Sequence, residues 1–223
     1  MMEADARVAR LRKLDCCAVS DAMDRLKLGG QVTALSQRSG QGRIAGRAVT
    51  VRLGIGDPPP GPPRHLGTTA IELSGPDMVI VVEQRSGVEA GCWGGLLTLG
   101  AKTRGVAGVI ADGPVRDIDE ARGYDFPIFT NRTTCLTARG RVVEKETNGP
   151  VAIGDLMVDA GDYVVADQSA CLFIKPGDID RLLDVAEEIV AREAAMARAI
   201  LAGTPISDVM GGNYEHMLQE GRA

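Results

Sequence analysis

Aromatic residues are scarce. The 223-residue chain has three Phe, three Tyr and one Trp, 3% of the whole, so its core has to be built from Val, Ile, Leu and Ala. Basic residues are spread out, with no block of five or six, and the net charge is −5. A surface that tracks phosphates needs clustered Lys and Arg, so nucleic acid is not expected as the primary partner, although a local basic pocket remains open. Cysteines number five (Cys16, Cys17, Cys92, Cys135 and Cys171), an odd count without a CxxC. That argues against a disulfide framework or a zinc site and for reduced, buried thiols. No apolar run is long enough to span a bilayer and no signal-peptide core opens the chain, so a cytoplasmic protein without a membrane partner is expected. His65 and His216 stand alone, with no Ser or Cys partner pattern, and are expected in solvent. No G-x-S-x-G, P-loop or H-E-x-x-H occurs, and no internal repeat or linker divides the sequence.

What is present has the composition of a single globular domain, 44% hydrophobic and 25% charged. Asp5–Leu28 reads as helix, interrupted at Ser20-Asp21, which would cap a second helix. Arg43–Leu53 alternates as a strand. Gly54–Gly67 holds five prolines and must be a loop, long enough for a lid or an interaction surface. A short helix over Thr68–Leu73 precedes a buried strand, Val79–Glu83. Cys92–Arg104 ends in basic residues and Gly105, the signals of a helix C-terminus. A second buried strand, Val106–Ala111, a turn at "DGP", a helix Ile118–Arg122 and a strand Pro127–Thr130 complete a β–α–β–α–β run, which implies parallel pairing. From Arg141 to Lys175 short apolar runs alternate with Asn148-Gly149, Gly154-Asp155 and Gly161-Asp162, turn dipeptides of antiparallel strands. A long helix, Ile179–Leu201, closes the core.

Chemistry concentrates in Gly91–Glu120. A Gly-Gly pair, Gly94-Gly95, opens a helix, and free amides with a positive dipole end suit an anion such as a carboxylate. Arg116 and Asp117 follow a strand that ends near Asp112, where α/β proteins place ligands. Arg116 could grip a carboxylate and Asp117 a divalent cation. Structural readings stand beside these. Asp117 and Glu120 form a D-x-x-E pattern that would cap the helix Ile118–Arg122, Arg116 would be a surface ion pair, and the glycines would serve packing. Glu193 falls on the apolar stripe of the last helix with no base three or four residues away. Either a cation, an Arg or another subunit meets it, or the stripe drifts and Glu193 is exposed.

"WGGLLTLGAKTRGVAGVIADGPVRD" (Trp93–Asp117) resembles the signature of RraA-like proteins, approximately W-G-E-L-L-x-x-A-A-x-x-R-G-x-x-G-x-V-x-D-G-x-V-R-D. "VSDAMDRL" (Val19–Leu26), "GRAVTV" (Gly46–Val51) and "GDYVVAD" (Gly161–Asp167) extend the likeness over roughly residues 15 to 203. The resemblance implies a compact β-rich α/β sandwich of the swivelling phosphohistidine-domain type. It also implies a homotrimer or homohexamer with active sites between subunits, the C-terminal helix and tail (179–223) lying at the contacts. In the class II pyruvate aldolases of this group, Mg²⁺ or Mn²⁺ holds a pyruvoyl group. Arg116 would then bind the substrate carboxylate and keto oxygen, and Asp117 the metal. The amides near Gly94, Gly95, Leu96 and Leu97 would hold the carboxylate, and Glu193 from a neighbouring subunit would support the water that transfers protons.

Three features depart from that pattern: Gly95 stands where the aldolases carry an acid, Ser169-Ala170 replaces Asp-Gly, and the Pro-rich loop is expanded. The expectation is a metal-dependent carbon–carbon lyase acting on a small 2-oxo acid through a pyruvate-type enolate, by retro-aldol cleavage or decarboxylation. The alternatives are a non-catalytic RraA-like protein that binds and regulates a partner, and a metal-independent enzyme on the same scaffold.

Overall fold

A computed structural model describes residues 5–211. The chain opens with α1 (Ala6–Leu11), α2 (Cys16–Leu26), β1 (Gln31–Val32), β2 (Ser36–Ser39) and β3 (Ile44–Gly54). The parallel segment follows: α3 (Thr68–Leu73), β4 (Met78–Glu83), α4 (Gly95–Thr103), β5 (Gly108–Val115), α5 (Ile118–Gly123) and β6 (Ile128–Thr133). Then come β7 (Val143–Thr147), β8 (Val151–Ile153), β9 (Leu156–Val158), β10 (Tyr163–Ala166), β11 (Cys171–Ile174), α6 (Ile179–Leu201) and α7 (Ile206–Val209).

One mixed sheet in the order β1-β11-β10-β3-β4-β5-β6-β2 organises the chain, with β7 on the far end of β3. The centre, β3 to β6, is parallel, and the flanks are antiparallel. Because consecutive parallel strands are neighbours, α3, α4 and α5 all cross on one face. Side-chain alternation divides the core accordingly. Val49, Val51, Ile80 and Val82 face those helices, and Ala45, Val165, Leu172 and Ile174 on the same face meet α1, α2 and α6. The intervening residues, Ala48, Val79, Val81, Ile110, Phe129 and Val164, face the other way, onto Val151, Ile153 and Val158 of the β8–β9 hairpin. This is the α/β sandwich the sequence led us to expect: helices on one face, a hairpin on the other. Both faces are covered, so the parallel strands read as unbroken apolar runs rather than alternating ones.

Two buried or half-buried carboxylates fasten the hairpin. Glu83, at the end of β4, accepts from the Ala152 N–H at 2.6 Å, and Asp112 accepts from the Gly154 N–H at 2.9 Å and the Asn131 amide at 2.7 Å.

Several boundaries differ from expectation. The N-terminal helix breaks at Arg12–Asp15, not at Ser20-Asp21. Asp15 caps α2 by accepting from the Ala18 N–H, so Ser20 and Asp21 lie inside that helix. "DGP" is no turn. Strand β5 runs on to Val115 with a register shift between Ala111 and Pro114, and Gly113 (φ 158°) carries it past Gln84, whose Cβ would lie 2.6 Å from a side chain there. Helix α4 begins at Gly95 rather than Cys92, because the Cys92 N–H bonds the Pro114 carbonyl and Trp93 bridges Val115, holding Cys92–Gly94 extended beside β5. Strands β1 and β2 are too short and polar to have announced themselves. Helix α6 spans Ile179–Leu201 as read, but its buried residues end at Ala186. His216 lies outside the described residues. Among the described residues no helix is long and apolar enough to cross a membrane.

Candidate active site

The extended run Cys92–Gly94, the N-terminus of α4 and the end of β5 converge on a cleft of about 220 Å³. Gly91, Trp93, Gly94, Gly95, Leu96, Leu97, Arg116 and Asp117 line it, together with His65, Leu66 and Thr137 to Arg139. The predicted Gly94–Leu97, Arg116 and Asp117 therefore lie together. Glu193 does not join them within one chain. It is exposed on α6, so the stripe does drift, and the charges that shift it are acidic. Partial burial, with Asp15 and Asp21 nearby, holds its carboxyl above the usual range.

Asp117 does not cap its own helix. Its backbone is left-handed (φ 59°), whereas a capping residue usually has extended backbone, and its side chain makes no bond to α5. It turns instead to α4: Oδ2 accepts from the Gly95 N–H at 3.0 Å. The Arg116 Nε donates to both carboxylate oxygens at 3.2 Å. Arg116 is itself placed by its backbone N–H, which bonds the Trp93 carbonyl. Trp93 is fully buried and donates from its indole to Thr98 at 3.0 Å, fixing the α4 start against β5.

The glycines are a floor. A Cβ on Gly91 would stand 3.1 Å from Cγ and Cδ of Arg116, and one on Gly94 2.9 Å from Asp117 Oδ2 and 3.2 Å from Arg116 Cγ. A Cβ on Gly95 would overlap Oε2 of Glu120, 2.8 Å from that carboxyl carbon and 3.4 Å from Asp117 Cβ. Side chains of α5 and its entry thus lie directly on the α4 backbone.

This floor changes one expectation. The Gly95 amide, expected to hold a ligand, is committed to Asp117. Thr98 is the first amide of α4 to bond back, to the Gly94 carbonyl, which leaves the Leu96 and Leu97 amides at the helix start for an anion. Leu96 is 85% exposed at the cleft mouth, and Leu97 is buried.

For a divalent cation the donor chemistry fits. Asp117 offers a hard carboxylate over a cradle that any Cβ at position 94 would fill. No group of three or more His, Cys, Asp or Glu side chains gathers among the described residues, so the donor set is not an all-protein cage. Magnesium commonly takes one or two carboxylates and fills its shell with water or substrate oxygen.

Sequence reading missed His65 and Arg139. His65 is exposed, as expected, but lines the cleft because the Pro-rich loop ends there. Arg139 arrives from the segment after β6. Neither has a local motif; only the fold brings them in.

A protein of Halalkalibacterium halodurans named as a candidate 4-hydroxy-4-methyl-2-oxoglutarate aldolase is 28% identical over 195 residues, 86% of this chain and 88% of that protein. The crystal structure of an uncharacterized protein from Pseudomonas syringae pv. tomato superposes with a TM-score of 0.82 at 24% identity, covering 93% of this chain and 98% of the other. Streptomyces coelicolor RraAS2, described as an unusual member of the RNase ES inhibitor RraA family, superposes with a TM-score of 0.73 at 22% identity, covering 87% and 97%. At those identities the two structures speak for the fold. The model of the RraA-like family, described as Aldolase/RraA, matches residues 16–172, and the chain belongs to that family.

Proposed function

We propose that the protein is a carbon–carbon lyase that cleaves or decarboxylates a small 2-oxo acid through a pyruvate-type enolate, with Mg²⁺ or Mn²⁺ as cofactor. The observation that carries this reading is the Arg116–Asp117 pair laid over the Gly94-Gly95 start of α4 inside a cleft. When bound, the cation supplies a Lewis acid for the keto oxygen. Asp117 is the residue that would hold it.

The chain's own groups account for the rest. The Leu96 and Leu97 amides and the positive end of α4 receive the substrate carboxylate. Arg116, anchored by Asp117, keeps its guanidinium facing the cleft, where it orients the acid and opposes the charge that develops on the keto oxygen. Arg139, which also lines the cleft, favours an anionic substrate. Glu193 of a neighbouring subunit would support the water that takes and returns the proton. Assembly of the chain, as a trimer or a pair of trimers in this reading, is supported by uncovered apolar residues at and just after the last helices: Leu201 is 87% exposed, Ile206 61% and Met210 44%.

The test is exchange of the pyruvate methyl protons in D₂O, followed by NMR, with Mg²⁺ or Mn²⁺ and then with EDTA. Metal-dependent exchange, lost in Arg116→Ala and Asp117→Ala, is the expected result. No exchange at high enzyme concentration in an intact assembly would refute the reading. It would favour a second one, a partner-binding regulator, which the shared fold with an RNase ES inhibitor relative supports.

A further inference from the structure

We infer that Glu120 is a second carboxylate of the Asp117 site, holding the water shell of the cation, and that Gly95 is the residue that admits it. This inference rests on the metal-dependent reading above. Glu120 sits in the first turn of α5, three residues after Asp117. Its carboxylate occupies the place that a Cβ of Gly95 would take, and Asp117 Cβ lies 3.4 Å from the same point. Two acidic side chains from one helix entry therefore converge on one bare spot at the start of α4.

Their bonding differs. The Asp117 oxygens are engaged by the Gly95 N–H and by Arg116. The Glu120 carboxylate makes no hydrogen bond or ion pair among the described residues, and the base on its own helix, Arg122, is paired with Asp119 at 3.0 Å. A free carboxylate beside another carries a like-charge cost. The positive end of α4 offsets part of it. A hydrated divalent cation would reverse its sign, and magnesium takes such pairs through direct and water-mediated contacts. Glu120 is exposed to solvent, so water can reach it to complete that shell.

Backbone conformation does not account for Gly95. It is the first residue of α4 and its φ is not left-handed, so a side chain there would carry no backbone strain. Glycine is among the poorest helix formers. A side chain at position 95 would meet the end of the exposed Glu120 side chain and push it aside, so glycine there leaves the Glu120 carboxylate over the start of α4.

The test is titration of the full-length protein with Mn²⁺, reading free ion by EPR, alongside metal-free melting. Glu120→Gln is expected to weaken Mn²⁺ binding about 10–100-fold, the usual effect of removing a group that supports a metal through its ligands. Its metal-free melting temperature should not fall. The relocated carboxylate, Gly95→Glu with Glu120→Ala, should recover most of the affinity. If Glu120→Gln binds like wild type while Asp117→Ala does not bind, the inference fails and the metal reading stands. If Glu120→Gln loses affinity together with metal-free stability, Glu120 is structural and the inference fails. If the wild-type chain takes up no Mn²⁺ saturably, both fall.

Discussion

Replacing Gly94 with Ala probes the site without touching a charged residue. Gly94 has extended backbone (φ −161°), which any residue adopts, so the change carries no backbone strain. Its cost has two parts. Gly94 is the N-cap of α4, and alanine is a poorer cap than glycine. The new methyl would also stand 2.9 Å from Asp117 Oδ2, the oxygen that accepts from the Gly95 N–H. Asp117 must then swing away and the helix start loses this side-chain acceptor, a loss of about 0.5–2 kcal/mol. In a chain of this length that corresponds to a fall of about 1–8 °C in Tm. The two parts separate in a double-mutant cycle with Asp117→Ala, followed by thermal and urea unfolding. With Asp117 gone the methyl meets no oxygen, so Gly94→Ala should then cost only its capping difference and its 3.2 Å contact with Arg116 Cγ, and the double variant should be more stable than the sum predicts. Strict additivity would refute the proposition that Asp117 lies on the α4 backbone. Wild-type Mn²⁺ affinity in Gly94→Ala would refute the proposition that this placement matters to the site.

Two further predictions concern the rest of the fold. Burial raises the thiols of Cys16, Cys92 and Cys171, Cys92 to about 12, while Cys17 and Cys135 are exposed, so a disulfide reagent near pH 8 should label two thiols quickly and three only on unfolding. Rapid labelling of three or more would contradict the buried assignment. Burial alone would raise the Asp167 carboxyl, but the Cys16 and Ser169 amides that it accepts from, with Arg43, outweigh burial and hold it below its ordinary 3.8. An acid lowered in the folded state adds stability above its unfolded value, and that stability is lost as pH falls through the folded one. Asp167→Asn should therefore lower stability at neutral pH and flatten its decline below about pH 4; an unchanged acid limb would remove Asp167 from the account.

The parallel centre of the sheet was legible because its strands are buried on both faces. A short, continuous β-branched run such as Val79–Glu83 is what a strand covered on both sides requires, and basic residues with Gly105 at the end of α4 mark its stop. What failed did so where a long-range bond outweighed a local signal. "DGP" has turn composition, yet the Thr130 hydroxyl bonds the Gly113 carbonyl and β6 pairs with Pro114 and Val115, so the strand continues. Ser20-Asp21 has cap composition, but Asp15 stands one turn earlier and takes the role.

Asp117 shows why site residues are harder to read than site segments. Its sequence context, D-x-x-E before a short helix, matches a local capping pattern, and that pattern assumes an extended residue whose carboxylate points forward along its own helix. The backbone here is left-handed, so the carboxylate points across to α4, twenty-two residues earlier in sequence. The same reversal lays Glu120 over Gly95. In the sequence, Gly95 is a missing acid; in the fold, the space it leaves is occupied by one. Only the second view predicts that restoring a carboxylate at position 95 displaces the one at position 120.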